Sequence, residues 1–143
     1  MVVISSKHLE IQSKISELPE VAALTESIGE EAGFSSDEID DITISVTEAG
    51  NNAIKHGNKE DESLKVDISY TVDEDKISVE VKDQGGGFEM EGVKDPRVGE
   101  NLLRDNGRGI LIMKTLMDEV NVTLGEDGTV VQLIKFIETE NRS

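Results

Sequence analysis

One domain built on one hydrophobic core is what a chain of 143 residues can form. Its 14 Lys and Arg stand against 31 Asp and Glu, and the net charge of −17 repels nucleic-acid phosphates and anionic membranes, so neither is expected as a partner. Cysteine is absent and the only histidines are His8 and His56, which excludes disulfides, thiolate nucleophiles and ordinary zinc sites. An anionic ligand therefore has to be held by local devices: backbone N–H groups, a helix N-terminus or a divalent cation.

The N-terminal run Met1-Val2-Val3-Ile4-Ser5-Ser6-Lys7 lacks a signal-peptide apolar stretch, and no apolar run reaches membrane-spanning length, so a cytoplasmic protein is expected. Leu9, Ile11 and Ile15 keep a two-residue beat broken at Ser13, which predicts a half-buried strand ending near Pro19. Pro19 suits a first helical turn, and Val21, Leu24 and Ile28 at helical spacing, with Gly33 as a stop, predict a helix over about 20–33. Ser35 and Glu38 have capping-box spacing just ahead of Ile39, Ile42, Val46, Ala49 and Ala53, which predicts a second, longest helix running to Gly57. Leu64, Val66, Ile68, Tyr70 and Val72 alternate, Asp73-Glu74-Asp75-Lys76 makes a polar turn, and Ile77, Val79 and Val81 alternate again, as in a β-hairpin.

Periodicity fails from Asp83 to Asn106, where Gly85-Gly86-Gly87, Gly92, Pro96 and Gly99 interrupt it; a loop of that length suggests a lid at about 84–106. Ile110, Met113 and Met117 resume helical spacing, and Val120, Val122 and Leu124 lead through Gly125-Glu126-Asp127-Gly128 into a last strand from Thr129 to about Ile137. Met113, Met117, Phe34, Tyr70 and Phe136 read as packing. Helices and hairpin-like strands in this order point to an α+β fold: one domain over 1–143, a two-layer sandwich of a mostly antiparallel sheet with its helices on one face.

Four segments carry residues suited to chemistry. Asp41, Ser45, Glu48, Asn52 and Lys55 recur at intervals of four, three, four and three, which puts Glu48 and Asn52 on one stripe of the second helix. On these residues alone a solvated stripe is the default, although Asn51-Asn52 inside a helix calls for a partner. In Val81-Lys82-Asp83-Gln84-Gly85-Gly86-Gly87-Phe88 an acidic residue ends a strand and glycines follow, either as a turn or to let backbone approach a ligand. Asn106-Gly107-Arg108-Gly109-Ile110 opens a helix, either as a plain helix start or as an anion site. Gly128-Thr129 begins the last strand as a turn whose hydroxyl is also able to face a ligand.

In chain order, Glu48-Ala49-Gly50-Asn51-Asn52-Ala53-Ile54-Lys55-His56-Gly57, Asp83-Gln84-Gly85-Gly86-Gly87-Phe88, Gly107-Arg108-Gly109 and Gly128-Thr129 resemble the four ATP-binding boxes of the GHKL superfamily. That group comprises gyrase-type ATPases, chaperone ATPases, histidine kinases and mismatch-repair ATPases. The short chain and the segment Gly107–Val120, ending Met117-Asp118-Glu119-Val120, resemble most the anti-sigma factor serine kinases, the RsbW-type regulators of bacterial stress and sporulation sigma factors. The resemblance covers about residues 8–138 and implies the histidine-kinase-like ATPase, or Bergerat, fold.

It also implies roles. ATP and Mg²⁺ are the cofactors, with Asn52 as the metal ligand that joins the ion to the phosphates. Asp83 accepts from the adenine amino group, Thr129 supports that contact through a water, Gly85 and Gly87 admit base and ribose, and the Gly107–Gly109 amides hold phosphate. Lys55, His56 and Phe88 lie in the same boxes, Asn106 and Ile110 flank the third, and all five are expected at the nucleotide. Glu48 acts on a substrate hydroxyl as base or orienting group, while Arg104 and Arg108 stabilise transferring charge. Two positions depart from the family pattern, Asn51 where a threonine is frequent and Arg104, offset by one; both bear on transfer more than on binding. The implied partners are a STAS-type anti-anti-sigma protein as substrate, a sigma factor, and a second copy of the chain in a homodimer. The rival readings are an ATP-gated protein-binding module without transfer activity and a detached histidine-kinase catalytic domain. Against the latter stand the want of an upstream helical hairpin with a phosphoacceptor His and the place of His8 on an expected strand.

Overall fold

The computed structural model describes residues 2–85 and 107–137. They form strand β1 (Val3–Gln12), helices α1 (Leu18–Ala32) and α2 (Ser36–Asn52), strands β2 (Lys65–Asp73) and β3 (Lys76–Lys82), helix α3 (Gly107–Leu116), and strands β4 (Glu119–Gly125) and β5 (Gly128–Phe136). The strands make one sheet in the order β1-β2-β3-β5-β4, and each neighbouring pair is antiparallel. This is the expected α+β architecture.

The alternation of each strand decides what the sheet buries. Val66, Ile68, Tyr70 and Val72 of β2, Ile77, Val79 and Val81 of β3 and Leu133 of β5 join one core with Val21 and Ile28 of α1, Ile42, Val46 and Ala49 of α2, and Met113 of α3. The intervening residues Ser69, Thr71, Asp73, Lys76, Ser78 and Glu80 line a shallow polar depression on the other face. Inside the core the Tyr70 hydroxyl is paired with Thr25 Oγ1 at 2.7 Å, and the Thr25 hydroxyl donates to the Val21 carbonyl at 2.7 Å, so the one buried phenol is satisfied.

Local chemistry sets the element ends. Ser35 Oγ accepts from the Glu38 N–H at 3.2 Å and the Glu38 carboxylate accepts from the Ser35 N–H at 2.9 Å, which completes the capping box of α2. Gly33 ends α1 at φ 86°, a left-handed position. Between β2 and β3, Asp73 Oδ1 accepts from the N–H groups of Asp75 (2.7 Å) and Lys76 (3.0 Å), a carboxylate mimic of the turn.

Several expectations need correction. The beat Leu9, Ile11, Ile15 is not one strand: β1 stops at Gln12, Ile15 begins a 3-10 turn (Ile15–Glu17), and the buried Ser13 donates its hydroxyl to the Leu64 carbonyl at 2.8 Å. The first helix begins at Leu18, before Pro19. The second α-helix ends at Asn52 rather than Gly57, because the chain widens into a π turn over Ala53–Gly57, closed by Asn58 N–H to the Ala53 carbonyl at 2.8 Å. Asn51-Asn52 therefore stands at a joint and not in a helix interior. Phe136 is 42% exposed on the open side of the sheet and does not pack in the core. The expected lid falls, from residue 86 to 106, outside the described residues.

Candidate active site

Glu48 and Asn52 lie one turn apart on α2, both half-buried, and face the first turn of α3. At Gly109 a Cβ atom would stand 2.7 Å from Glu48 Oε1 and 3.1 Å from Asn52 Nδ2, so these two side chains rest against bare backbone there. The stripe is not a solvated edge: Ser45 is fully buried, Asp41, Glu48 and Asn52 are partly so, and only Lys55 is exposed. The first N–H groups of a helix have no partners within it, and the helix dipole adds positive potential at the same end. A carboxylate, a carboxamide and a helix N-terminus thus meet at Gly109. Arg108 is exposed beside them, and Ile110 packs on the core.

The second group forms around Asp83, the residue after β3. Its N–H donates to the Thr129 carbonyl at 3.1 Å, and the Thr129 N–H returns a bond to Asp83 Oδ1 at 2.9 Å, so side chain and backbone together extend the β3–β5 ladder by one step. The Gly85 N–H also donates to Oδ1, at 3.2 Å. Oδ2 accepts from no described residue and lies against Gly57, where any Cβ would overlap the carboxylate. A Cβ at Gly85 would overlap the Gly57 carbonyl, and one at Gly128, which has φ 133°, would overlap the Asp83 carbonyl. Burial raises the Asp83 carboxyl above the ordinary carboxylate range, and the bonds from Thr129 and Gly85 work in the opposite direction. The result is a buried carboxylate with one oxygen committed and the other presented between walls without side chains, a shape for a flat ligand carrying an N–H donor.

Gly57 joins the two groups. It lies five residues beyond Asn52 on the same winding, roughly 7 Å along the axis at helical rise. Glu48, Asn52 and Gly109 are thus brought together, as are Asp83, Gly85 and Thr129. Lys55 and His56 are exposed on the π turn and make no hydrogen bond or ion pair with either group among the described residues. Gly87, Phe88, Arg104 and Asn106 lie outside the described residues, as does the side-chain environment of Gly107.

Gly57, which closes the first of the four boxes, admits Asp83 against its bare α-carbon, and Asn58, which lies outside the boxes and carries no sequence signal, is 2% exposed and hydrogen-bonded through both ends of its amide. No cluster of three acidic or histidine ligands exists among the described residues. A magnesium ion that keeps most of its waters and binds chiefly to substrate phosphates needs only one or two protein oxygens, and the Asn52 carboxamide beside the α3 N-terminus fits that need.

With this geometry in place, comparison with known proteins is specific. The histidine kinase-like ATPase domain model matches residues 11–135, and the chain belongs to that family. It is 35% identical to the serine-protein kinase RsbW of Bacillus subtilis (strain 168) over 140 residues, covering 91% of this chain and 87% of that protein. The serine-protein kinase RsbW of Bacillus licheniformis is 35% identical over 119 residues, 79% of this chain and 74% of that one. The Listeria innocua protein of the same name is 34% identical over 143 residues, 93% and 90%. Within the family, the chain is of the RsbW type.

Proposed function

We propose that this chain is an ATP-dependent protein-serine kinase that phosphorylates a STAS-type anti-anti-sigma protein, binds a sigma factor in the alternative state, and works in the cytoplasm as a homodimer. The observation that carries the reading is the meeting of four distant segments in two adjoining groups: Glu48 and Asn52 against Gly109, and Asp83 among Gly57, Gly85, Gly128 and Thr129. The relatives' common name, serine-protein kinase, supports the reaction class. Among the described residues no helix is long and apolar enough to cross a membrane.

Asp83 Oδ2 accepts from the adenine amino group, and the side-chain-free walls at Gly57 and Gly85 take the faces of the base. Guanine presents an oxygen where adenine presents that amino group, so the same carboxylate rejects it. Phosphates lie at the α3 N-terminus, where amides and dipole offset the charge of an acidic protein. Asn52 would hold Mg²⁺, which supplies charge neutralisation across the phosphates. Glu48 orients the substrate serine hydroxyl and takes its proton as the serine oxygen bonds to the γ-phosphorus and the bond to the β–γ bridging oxygen breaks, releasing ADP. Arg108, and Arg104 from the segment before α3, balance the spreading negative charge. Positioning and electrostatics carry most of the rate, and the base adds a smaller share.

The test is calorimetry with ATP, ADP and GTP, with and without Mg²⁺, followed by transfer of labelled phosphate to purified STAS proteins. Selective Mg-ATP binding with label on a serine is the expected result. Binding with no transfer to any STAS protein would favour an ATP-gated interaction module, and no adenine selectivity would overturn the reading altogether.

A further inference from the structure

We propose that Asn58 is the positioning residue of the adenine end of the site, holding both walls of the Asp83 carboxylate and thereby setting nucleotide affinity and base selectivity; this rests on the ATP-binding reading above. Asn58 follows the π turn and is 2% exposed. Its Nδ2 donates to Ser13 Oγ at 2.8 Å and to the Lys65 carbonyl at 3.0 Å, and its Oδ1 accepts from the Gln84 N–H at 2.9 Å. The partners come from three separate places: just past β1, the start of β2, and the residue after Asp83. Because Lys65 offers only an acceptor and Gln84 only a donor there, the amide fits in one orientation.

Those bonds act on Asp83 from two sides. Gln84 is gripped twice, by the Asn58 carboxamide at its N–H and through its own Oε1, which accepts from the Lys65 N–H at 2.6 Å. It stands between Asp83 and Gly85, whose N–H is one of the two donors to Asp83 Oδ1. Fixing Gln84 therefore fixes the plane of the carboxylate from the side opposite Thr129. Gly57, the wall against Oδ2, immediately precedes Asn58, and a Cβ at Gly85 would lie 3.1 Å from the Asn58 nitrogen.

The surrounding backbone is wound unusually, and its own bonds, Glu60 N–H to the Ile54 carbonyl at 2.7 Å and Asp61 N–H to the Asn58 carbonyl at 3.0 Å, tie only this segment to itself and not to Asp83. A π turn precedes Asn58, and Lys59 (φ 53°) and Glu60 (φ 59°) follow it as two consecutive left-handed residues, neither of them glycine. Conformations of this kind persist where the neighbourhood over-determines them, and they gather at functional sites. The Asn58 side chain adds the bonds that join this segment to the residue after β1, to β2 and to Gln84, alongside its N–H to the Ala53 carbonyl. A buried amide used only to staple the fold would change stability and leave the folded site alone. A positioning amide changes recognition of adenine as well.

Calorimetric ATP and GTP affinities, steady-state kinetics and melting temperatures of wild type, Asn58→Ala, Ser13→Ala and Tyr70→Phe separate these cases. Tyr70→Phe removes a buried hydrogen bond to Thr25 in the core, which shares no partner with Asp83 or Asn58, and serves as the stability control. Asn58→Ala is expected to weaken ATP binding about tenfold and narrow the preference over GTP, with KM for ATP rising more than kcat falls. Ser13→Ala, which keeps Asn58 but removes one of its anchors, should shift affinity the same way by about threefold, and it carries the test should Asn58→Ala fail to fold. Tyr70→Phe should melt earlier and bind as wild type. Wild-type ATP affinity in the folded Asn58 and Ser13 variants, or an equal loss in Tyr70→Phe, would overturn the proposal. Failure of the wild type to bind ATP would instead sink the functional reading beneath it.

Discussion

At Asp83 recognition and stability pull in opposite directions. Burial holds the carboxyl above its ordinary range, so the folded state binds that proton more tightly than the unfolded chain does. By linkage the group favours folding when protonated, and its contribution falls as pH rises from the ordinary value of 3.8 through the raised folded one. Asp83→Asn keeps an oxygen for the Thr129 and Gly85 N–H groups and removes the charge. Its stability relative to wild type should therefore grow across that window, measured as the difference between two pH–denaturation series. Its ATP affinity should drop about 10- to 100-fold, since an Nδ2 donor replaces the acceptor proposed to face the adenine amino group. Glu48 makes a different prediction: Glu48→Gln should leave calorimetric Mg-ATP affinity within about threefold and cut phosphate transfer by about 100-fold or more. Full retention of regulation in that variant would favour the module without transfer activity.

The elements show what residue patterns reveal and what they hide. Ser35→Ala should lower stability by about 1 kcal/mol in denaturant titration, with ATP binding unchanged, because it removes the N-cap of α2 and not the residues at its far end. That cap, the Gly33 stop and both hairpins were readable because each has a local chemical cause: a hydroxyl at the right spacing, a left-handed glycine, alternation around a polar turn. The π turn was not, since an extra residue per turn leaves the hydrophobic face nearly in phase and carries no residue signature. The start of β1 was hidden because Val2, Val3 and Ile4 are all exposed and show no alternation. Within the site, the four-residue step from Glu48 to Asn52 was readable from spacing, but their apposition to Gly109, and that of Gly57 to Asp83, comes from tertiary packing. Asn58 has no signature in the sequence, because a buried amide looks like any turn amide until its partners are known.

For the molecule as a whole, charge limits association. Two copies at −17 each repel, yet residues 3–9 of the edge strand β1 contain Lys7 and neither Asp nor Glu, and Val3 and Ile4 are 50% and 64% exposed. The proposed homodimer is accordingly expected to pair through this edge. Val3→Lys with Ile4→Lys should sediment as a monomer where the wild type sediments as a dimer, with ATP affinity unaltered; a dimer surviving both substitutions would place the contact elsewhere.

The mutual bonds of Asp83 and Thr129 span 46 positions of chain, yet they sit at the end of a ladder that β3 and β5 already close. Bringing those ends together therefore adds no ring-closure entropy of its own, and the length of the stretch joining β3 to α3 is decoupled from the proposed purine contact. Doubling a closed ring costs only about 0.6 kcal/mol. In the proposed reading the carboxylate offered to the base is accordingly anchored by the sheet itself, whatever the length of that stretch.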